Sequence, residues 1–478
     1  MRVLFTVSEC VPFAKSGGLA DVTGSLPNAL KENGLDVRVV MPLYKIISDK
    51  YDAILSFVGH INVNVGWRNQ YCGVYTTKLN NIDYYFIDNK YYFDREGFYG
   101  HFDDGERFAY FSTACIEFIR LIDFKPDIIH CHDWHTGMIP FLLKYKYRYD
   151  ELYQDFRSIF TIHNLQYQGV FSKECLKDFF DLGEEYFSSH LLEFNGCISY
   201  MKAGIVSADQ ITTVSPTYRN EIQYEFFGEN LDGLLRDKSY KLSGILNGID
   251  TKIYNPSDDK LLKYNYDMST IEKKVLNKKD LQQELGLPIN SHIPIIAMIT
   301  RLTCQKGIEL VQHILHEVLQ EDVQFILLGS GDSEYESYFR YMEMNFKNKV
   351  RAYIGFNEEL AHKIYAGSDI FVMPSLFEPC GLAQMIALRY GTIPIVRETG
   401  GLNDSVCSYN ELTDEGNGFT FHNYNAHELL FTIKRAFRYY YDKDIWRRIM
   451  SNAMDSDFSW YCSAKQYKSL YEQVRTLV

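Results

Sequence analysis

Short apolar runs alternate with helical segments along the first half of the chain. The first run, residues 2–8 (RVLFTVS), is β-branched and apolar enough for a buried strand, and the periodic segment 21–32 predicts a helix after it. Similar runs follow as VRVVMP, DIIHCHD, SIFTIHN and ITTVS, with helical stretches such as 106–122 between them. This alternation predicts βαβ units and therefore a parallel sheet.

A second series of the same kind begins near Pro294. The runs PIIAMIT, VQFILLG, RAYIGF, DIFVMPS and TIPIVRE predict strands, and the periodic segments 307–319 and 359–367 predict helices. Between the two series, the motif LNGID supplies a glycine turn that leads into a polar stretch rich in Lys and Asp. We therefore expect two α/β domains, the first at 1–245 and the second at 246–458.

Composition narrows the class of protein. The 478 residues are too many for one ordinary core, and 46% hydrophobic and 23% charged residues are typical of a soluble globular protein. A formal net charge of −13 disfavours nucleic acid or an anionic membrane as a partner, because both require a positive surface. Ten scattered cysteines without a C-x-x-C pair predict reduced thiols. Since the first apolar run is soon interrupted by polar residues, it fits neither a signal peptide nor a membrane span, and we expect a cytoplasmic protein.

Polar groups follow the predicted strands of the first domain. Their position matters because ligands of open α/β sheets bind outside the carboxyl ends of the strands. Glu9 and the loop KSGGLAD at 15–21 follow the first strand, and in this loop two glycines free backbone N–H groups while Lys15 adds a positive charge. That composition is typical of an anion-binding loop at a helix N-terminus, although the heptapeptide alone could equally be an ordinary βα turn. HCHDWH at 130–135 and His-Asn at 163–164 follow later strands.

The second domain carries a comparable set. Arg301 and Lys306 follow its first strand, Phe356 follows RAYIG, and Glu378 lies in FEPCGL after DIFVMPS. A second glycine pair occurs in TGGL at 399–402. Two cations at a strand end together with a glycine loop favour phosphate binding, because such groups can stabilise a departing diphosphate without a metal ion.

Other motifs favour plainer explanations. The histidines of HCHDWH could ligate a metal, but no carboxylate or cysteine spacing completes a tetrahedral set, so a sugar-binding edge with Asp133 as acceptor and Trp134 packing is favoured. The D-x-D triplets at 442–444 and 455–457 lie in late helical or connecting sequence far from the strand ends, and we interpret both as solvated. GSGDSE at 329–334 lacks the third glycine of a dinucleotide fingerprint, and no P-loop occurs. We therefore expect neither a metal nor a cofactor.

Six separated segments resemble bacterial glycogen synthases and plant starch synthases. They are KSGGLADV, HDWH, TIHNLQYQG, LNGID, RLTCQKG and FEPCGLAQMIALRYGTIPIVRETGGLNDSV, in this order over nearly the whole chain. The resemblance implies a retaining glycosyltransferase that takes glucose from ADP-glucose. It also implies an α/β fold of the GT-B type, with two Rossmann-like domains facing a cleft and a C-terminal helix at 459–478 that packs back on the first domain.

The resemblance further implies roles for individual residues. His163 would lie beside the transferred sugar, while Arg301 and Lys306 would stabilise the departing ADP, and Glu378 would be the family's essential glutamate. The other implied donor or acceptor contacts are Glu9, Lys15, Gly17, Gly18, Asp21, Asp133, Asn164, Asn247, Phe356, Cys380, Gly381, Leu382, Thr399, Gly400 and Gly401. Phe356 stands where the family commonly has a tyrosine, and its ring can still stack on adenine. Ile386 stands where many related transferases carry a second glutamate, which the glycogen synthases lack.

The implied reaction adds glucose to the 4-hydroxyl at the non-reducing end of an α-1,4-glucan and keeps the α configuration. No carboxylate is marked as a nucleophile, so we expect an ion-pair mechanism in which the leaving diphosphate accepts the proton. The aromatic and acidic segment 89–108 is either an acceptor surface or a packed loop. Two other functions stay open: a related enzyme that uses UDP-glucose, and an inactive glucan-binding relative.

Overall fold

The computed structural model describes residues 1–477 and divides the chain into two compact units. The first unit comprises Met1–Gly248 and the chain from Trp460 onward, and the second unit comprises Ile249–Ser459. Within the described residues, no helix has both the length and the apolar character required to cross a bilayer.

The first unit is built on a large sheet and a small one. Its strands are β1 Arg2–Thr6, β2 Asp36–Pro42, β3 Ser56–Val65, β4 Arg68–Leu79, β5 Ile82–Asp88, β6 Ile128–His132, β7 Arg157–Ile162, β8 Val170–Phe171, β9 Glu193–Phe194, β10 Cys197–Ser199, β11 Gln210–Thr213 and β12 Leu242–Gly244. The large sheet has the order β12-β11-β7-β6-β1-β2-β5-β4-β3, and β8-β10-β9 form the small antiparallel sheet. Strands β12 to β5 of the large sheet are parallel, whereas β3 and β4 add an antiparallel edge.

The helices of the first unit connect these strands. They are α1 Gly18–Glu32, α2 Lys45–Tyr51, α3 Lys90–Phe93, α4 Asp104–Glu117, α5 Met138–Tyr145, α6 Cys175–Phe180, α7 Glu185–Ser188, α8 Tyr200–Ser207, α9 Pro216–Glu221 and α10 Asp232–Asp237. Helix α4 is buried along most of its length because its sequence is dominated by aromatic and small residues. It packs against α5 and against β3, so it forms the core on one side of the sheet.

The second unit contains one sheet with all strands parallel. The strands are β13 Ile295–Ile299, β14 Gln324–Gly329, β15 Val350–Ile354, β16 Ile370–Met373, β17 Ile393–Arg397 and β18 Phe419–Phe421, in the order β15-β14-β13-β16-β17-β18. Its helices are α11 Lys274–Glu284, α12 Ile308–Val318, α13 Ser333–Asn345, α14 Glu358–Gly367, α15 Ala383–Arg389, α16 Gly400–Ser405, α17 Ala426–Tyr441 and α18 Lys443–Met454. Strands β13, β14, β16 and β17 are buried along almost their whole length, as expected for a parallel sheet covered by helices, whereas the edge strand β15 is partly exposed.

The last helix, α19 Trp460–Arg475, belongs to the first unit and packs on α1. Its inward positions include the buried side chains of Tyr467 and Tyr471. Two hydrogen bonds fix its position: Lys468 Nζ donates to the Asn33 carbonyl at 2.8 Å, and Ser463 Oγ donates to the Leu246 carbonyl at 2.6 Å.

The α/β class predicted from the apolar pattern is confirmed, with shifts at element ends. The predicted strand 2–8 ends at Thr6, and the predicted helix 21–32 already begins at Gly18, because Gly17 is extended and caps it. The predicted helix 106–122 is α4 followed by a 3₁₀ turn at Phe118–Leu121. The antiparallel edge formed by β3 and β4 has no counterpart in the prediction.

Candidate functional site

The glycine loop after β1 is held by Glu9. Both oxygens of this buried carboxylate accept hydrogen bonds. Oε2 accepts from the Ser16 backbone N–H. Oε1 accepts from Ser16 Oγ and from the Tyr99 hydroxyl, and both of these distances are 2.8 Å. The resemblance implies a sugar or acceptor contact for Glu9. In the structure the carboxylate fixes the conformation of the loop, and Tyr99 ties the segment 89–108 to it.

Lys15 and the two glycines lie at the N-terminus of α1. Lys15 Nζ is 2.6 Å from Asp21 Oδ1, so these two predicted ligand contacts are paired with each other at a partly exposed position. Gly17 caps the helix without a side-chain hydrogen bond, and a Cβ on Gly17 or Gly18 would meet no atom within 4 Å. Internal packing therefore does not require these glycines. The free N–H groups of the first helical turn, with a lysine beside them, are suited to an anion.

Asp133 is a strained residue at the end of β6. Its φ of 56° lies in the left-handed region, where a residue other than glycine costs conformational energy. Its Oδ1 accepts from the backbone N–H of His163 at 2.8 Å and, at a longer 3.5 Å, from that of Asn164. Burial raises the pKa of this carboxyl group to about 7, despite the lowering effect of the two N–H groups. Asp133 is therefore close to its protonation midpoint at neutral pH.

Three histidines lie next to this aspartate. His132 Nδ1 is 2.9 Å from His163 Nε2, while His130 places its ring nitrogens 2.8 Å from the Tyr471 hydroxyl and 2.6 Å from Thr161 Oγ1. Burial lowers the pKa of all three, and that of His163 to about 3, so they are neutral at physiological pH. His130 and His132 are fully buried and His163 is partly exposed, so only His163 is accessible to a ligand.

Two further contacts complete this edge of the first unit. The Tyr99 ring lies 4.5 Å from the His135 ring, which connects the Glu9 loop to the HDWH turn. Asn247, in the LNGID motif, is buried, and its Oδ1 has no hydrogen-bond partner among the described residues. Buried acceptors of this kind are rare in folded proteins, so the amide of Asn247 is a candidate ligand contact.

The second unit carries a buried ion pair. Lys306, in the turn after β13, places Nζ 2.6 Å from Glu378 Oε2, and Ser375 Oγ donates to the same oxygen at 3.1 Å. The side chains of Lys306 and Glu378 are 13% and 8% exposed, so the pair is largely desolvated. Arg301 is exposed, and its guanidinium has no ion-pair or hydrogen-bond partner in the part of the chain that the structure describes.

Backbone contacts hold the two loops around Glu378 together. Gly400 has a φ of +45°, and a Cβ there would lie 1.9 Å from the Glu378 carbonyl oxygen; a Cβ on Gly401 would lie 2.1 Å from that of Cys380. The Gly401 N–H donates to the Glu378 carbonyl at 3.1 Å, and Arg397 Nε donates to the Ser375 carbonyl at 3.1 Å. Only glycine permits this approach, so the TGGL loop fixes the backbone that carries Glu378.

The other predicted residues of the second unit lie at the same strand ends. Thr399 is buried at the N-terminus of α16, Cys380 is buried, and Gly381 and Leu382 lead into α15. Phe356 follows β15, and the residue is 82% exposed. The ring is thus free to stack on a planar ligand.

Four residues that support the site are not among the predicted site residues, although His132 lies in the HCHDWH motif and Tyr99 lies in the segment 89–108. Tyr99 and His132 contact the predicted residues Glu9 and His163, while Ser375 and Arg397 hold Glu378 and its loop. Arg397 could have been found, because an arginine at the end of an otherwise apolar, buried strand must satisfy its charge nearby. Ser375 lies only three residues before Glu378, and its contact depends on the path of that loop. The contacts of Tyr99 and His132 join segments that are distant in the sequence.

Two family profiles match the chain. The profile described as starch synthase catalytic domain covers residues 2–237, and the profile described as glycosyl transferases group 1 covers residues 282–447. A glycogen synthase of Bacillus cereus is 57% identical over 474 residues, which are 99% of this chain and 100% of that protein. A glycogen synthase of Bacillus cytotoxicus is 56% identical, with all of both chains covered.

Solved structures show the same similarity. The catalytic domain of Starch Synthase IV from Arabidopsis thaliana, bound to ADP and acarbose, superposes with a TM-score of 0.91 at 36% identity, and 99% of each chain is covered. The sucrose-phosphate synthase of Thermosynechococcus elongatus superposes with a TM-score of 0.63 at 17% identity, over 99% of this chain and 98% of that one. This second similarity is one of fold alone.

The raised pKa of Asp133 predicts a pH-dependent effect of Asp133→Asn. The folded-state pKa of about 7 lies above the unfolded value of about 3.9, so Asp133 contributes stability at low pH that is lost as pH rises through 7. Relative to wild type, Asp133→Asn should therefore gain about 2 kcal/mol in free energy of unfolding between pH 5.5 and pH 8. Urea unfolding at both pH values measures this difference, with exposed Asp49→Asn as control. An equal difference at both pH values would contradict the assignment.

The close backbone approach at Gly401 predicts a loss of stability on Gly401→Ala. Its Cβ would overlap the Cys380 carbonyl, and such overpacking typically costs about 1–3 kcal/mol. Gly17→Ser is the matched control, because its Cβ meets open space and serine is a favoured N-cap. Thermal unfolding should show a lower Tm for Gly401→Ala and an unchanged Tm for Gly17→Ser. Equal melting temperatures of Gly401→Ala and wild type would refute the packing argument.

Proposed function

The chain belongs to the glycogen and starch synthase family of glycosyltransferases, and on this basis we propose that it transfers glucose from ADP-glucose to an α-1,4-glucan. It is a glycosyltransferase of the GT-B fold that uses a nucleotide-sugar donor and a glucan acceptor. The observation that carries the choice of donor is the full-length superposition on a starch synthase bound to ADP, the nucleotide that ADP-glucose would release. The glucose would be added to the 4-hydroxyl of the non-reducing end with retention of configuration.

The first unit would bind the donor phosphates and the transferred glucose. Lys15 and the amides of Gly17 and Gly18 would meet a phosphate, and Asp21 would position Lys15 through their ion pair. The glucosyl group would contact Asn164 and Asn247, whose polar groups suit sugar hydroxyls. Support for Asn247 comes from its buried, unpartnered Oδ1.

Asp133 and His163 would act on the glucosyl group as hydrogen-bonding residues. Because burial keeps the pKa of His163 near 3, its imidazole stays neutral and cannot donate a proton as an acid at pH 7. It can still donate a hydrogen bond. The raised pKa of Asp133 means that its charge, and any interaction that depends on it, varies with pH around neutrality.

The second unit would stabilise the leaving group. Arg301 brings an exposed, unpaired cation, and Lys306 keeps N–H donors beyond its bond to Glu378. Glu378 holds Lys306 through Oε2, and its Oε1 has no hydrogen-bond partner among the described residues, so that oxygen could accept from a sugar hydroxyl. The amides around Gly381, Leu382, Thr399, Gly400 and Gly401, with Cys380, would line the phosphate side. Phe356 would stack on adenine.

The chemistry then depends on positioning and fixed charge. The bond between C1 of glucose and the diphosphate oxygen breaks, the bond between C1 and the acceptor 4-oxygen forms on the same face, and the acceptor proton passes to the diphosphate. No protein nucleophile is needed in this scheme. The protein would make two contributions: it would hold the acceptor 4-oxygen and the leaving group on the same face of the glucose C1, and it would stabilise the charge on the leaving group.

The segment 89–108 is the proposed acceptor surface. Tyr92, Phe93 and Phe108 are buried, as in a packed loop, whereas Phe102 and Tyr91 are exposed and could stack on glucose rings. The buried rings support the packed-loop alternative, and the exposed rings support our proposal of an acceptor surface on that loop. We also propose a cytoplasmic location, supported by cysteines that are all free thiols in the described structure.

A donor assay tests the proposed function. The protein should release ADP from ADP-glucose only when glycogen or a maltooligosaccharide is present, and radiolabelled glucose should enter the glucan. UDP-glucose should give a much smaller rate under the same conditions. Preferential UDP release would identify a UDP-glucose-dependent enzyme, and glucan binding without nucleotide release from either donor would identify a binding protein.

Arg301→Ala should reduce turnover without destabilising the protein. Loss of one charge-stabilising donor typically lowers kcat by about 10²- to 10³-fold, and the exposed Arg301 side chain contributes little packing. Arg447→Ala removes another exposed arginine of the second unit and is the matched control. Steady-state kinetics and a melting curve are measured for both. Wild-type turnover in Arg301→Ala would remove this residue from the catalytic group.

A further inference from the structure

The His132–His163 contact joins the ends of two neighbouring parallel strands. His132 is the last residue of β6, and its register partner is Thr161, two residues before His163. His132 Nδ1 lies 2.9 Å from His163 Nε2. Burial keeps both imidazoles neutral, so each ring carries one proton and one of the two facing nitrogens must be the donor.

The buried surroundings of His132 indicate which ring donates. The His132 side chain is fully buried, and its Nε2 has no hydrogen-bond partner among the described residues. If His163 donated, the proton of His132 would have to sit on that Nε2, as a buried N–H without an acceptor. Orphaned buried N–H groups are rare in native proteins. If the proton is instead on His132 Nδ1, the unpartnered Nε2 is a bare ring nitrogen and no N–H group is left without an acceptor.

The nearest polar neighbours do not change this choice. His130, whose ring centroid is 4.2 Å from that of His132, is already bonded to Tyr471 and Thr161. Phe5 stacks on His132 with a centroid distance of 5.1 Å and offers no acceptor. The other hydrogen bond of His163 fixes its backbone and not its ring, because it is the backbone N–H that donates to Asp133 Oδ1. The His163 ring is thus oriented by His132 alone among the described side chains.

We propose that His132 is a positioning residue whose Nδ1–H donates to His163 Nε2 and thereby holds His163 in the Nδ1–H tautomer. The Nδ1–H of His163 is then turned away from the buried ring and is the donor presented to the bound sugar. Its Nδ1 has no partner among the described residues, and the side chain is partly exposed, as a ligand-facing donor requires. The contact between His163 and a sugar rests on the proposed function. The tautomer of His163 does not, because it follows from the contact with His132 alone.

Two substitutions separate positioning from packing. His132→Phe keeps an aromatic ring against Phe5 and removes the donor, whereas His132→Asn offers an amide N–H close to the position of Nδ1. We expect His132→Phe to melt no lower than wild type and to keep the KM for the donor. Its kcat should fall by about 10- to 100-fold, the range known for partners that orient metal-ligating histidines. His132→Asn should recover kcat to within a few-fold of wild type.

The tautomer is measured directly by NMR on protein labelled with ¹⁵N-histidine. The resonances of His163 are assigned by their absence in His163→Asn. In wild type, Nδ1 should show the shift of a protonated ring nitrogen and Nε2 that of a bare one, and His132→Phe should lose this fixed pattern. This readout needs neither substrate nor turnover, so it stands even if the donor assay fails.

Three results would overturn the proposal. A protonated Nε2 on His163 in wild type would reverse the direction of the hydrogen bond. Full turnover in His132→Phe would show that the donor is not used. An equal loss of kcat in His132→Phe and His132→Asn, accompanied by an equal drop in Tm, would assign His132 a packing role only.

Discussion

The ion pair between Lys306 and Glu378 is the interaction on which the candidate site of the second unit depends. Both side chains are largely buried, and removing either partner of a buried pair leaves an uncompensated charge, at a typical cost of about 3–5 kcal/mol. The two residues follow β13 and β16, which are neighbours in the sheet, so strand order brings them together. The loop that carries Glu378 must also keep its position, and the close contacts of the TGGL glycines with the backbone of residues 378–380 provide that constraint.

The same pairing limits the electrostatic role of Lys306. Its charge is largely balanced by Glu378, so in the proposed function the net positive charge that meets the diphosphate would come chiefly from the exposed Arg301. The candidate site residues of the first unit also carry little net charge, because Lys15 is paired with Asp21 and the buried histidines are neutral. In the proposed function, each unit would therefore contribute oriented hydrogen-bond donors and few net charges, which suits a reaction that depends on preorganisation.

The sequence predicts the repeated α/β pattern, because buried parallel strands are continuous apolar runs. It also predicts that the site residues lie at strand ends, because the carboxyl ends of parallel strands share one edge of the sheet. The edge strands β3 and β4 could not be predicted, since they mix exposed and buried residues and lack the apolar run of a central strand. The contacts of Glu9 with Tyr99 and of His132 with His163 join residues 90 and 31 positions apart. Such contacts follow from strand register and loop path, which local pattern does not encode.

The measurement that tests the central claim most directly is a crystal structure of the protein with ADP, from crystals grown with Mg²⁺ present. The account predicts that Arg301 and Lys306 donate to the diphosphate at about 2.7–3.2 Å, that Lys306 keeps its bond to Glu378, and that no metal ion bridges the phosphates. A nucleotide whose phosphates contact neither cation, or whose phosphates are held by a magnesium ion in their place, would contradict it.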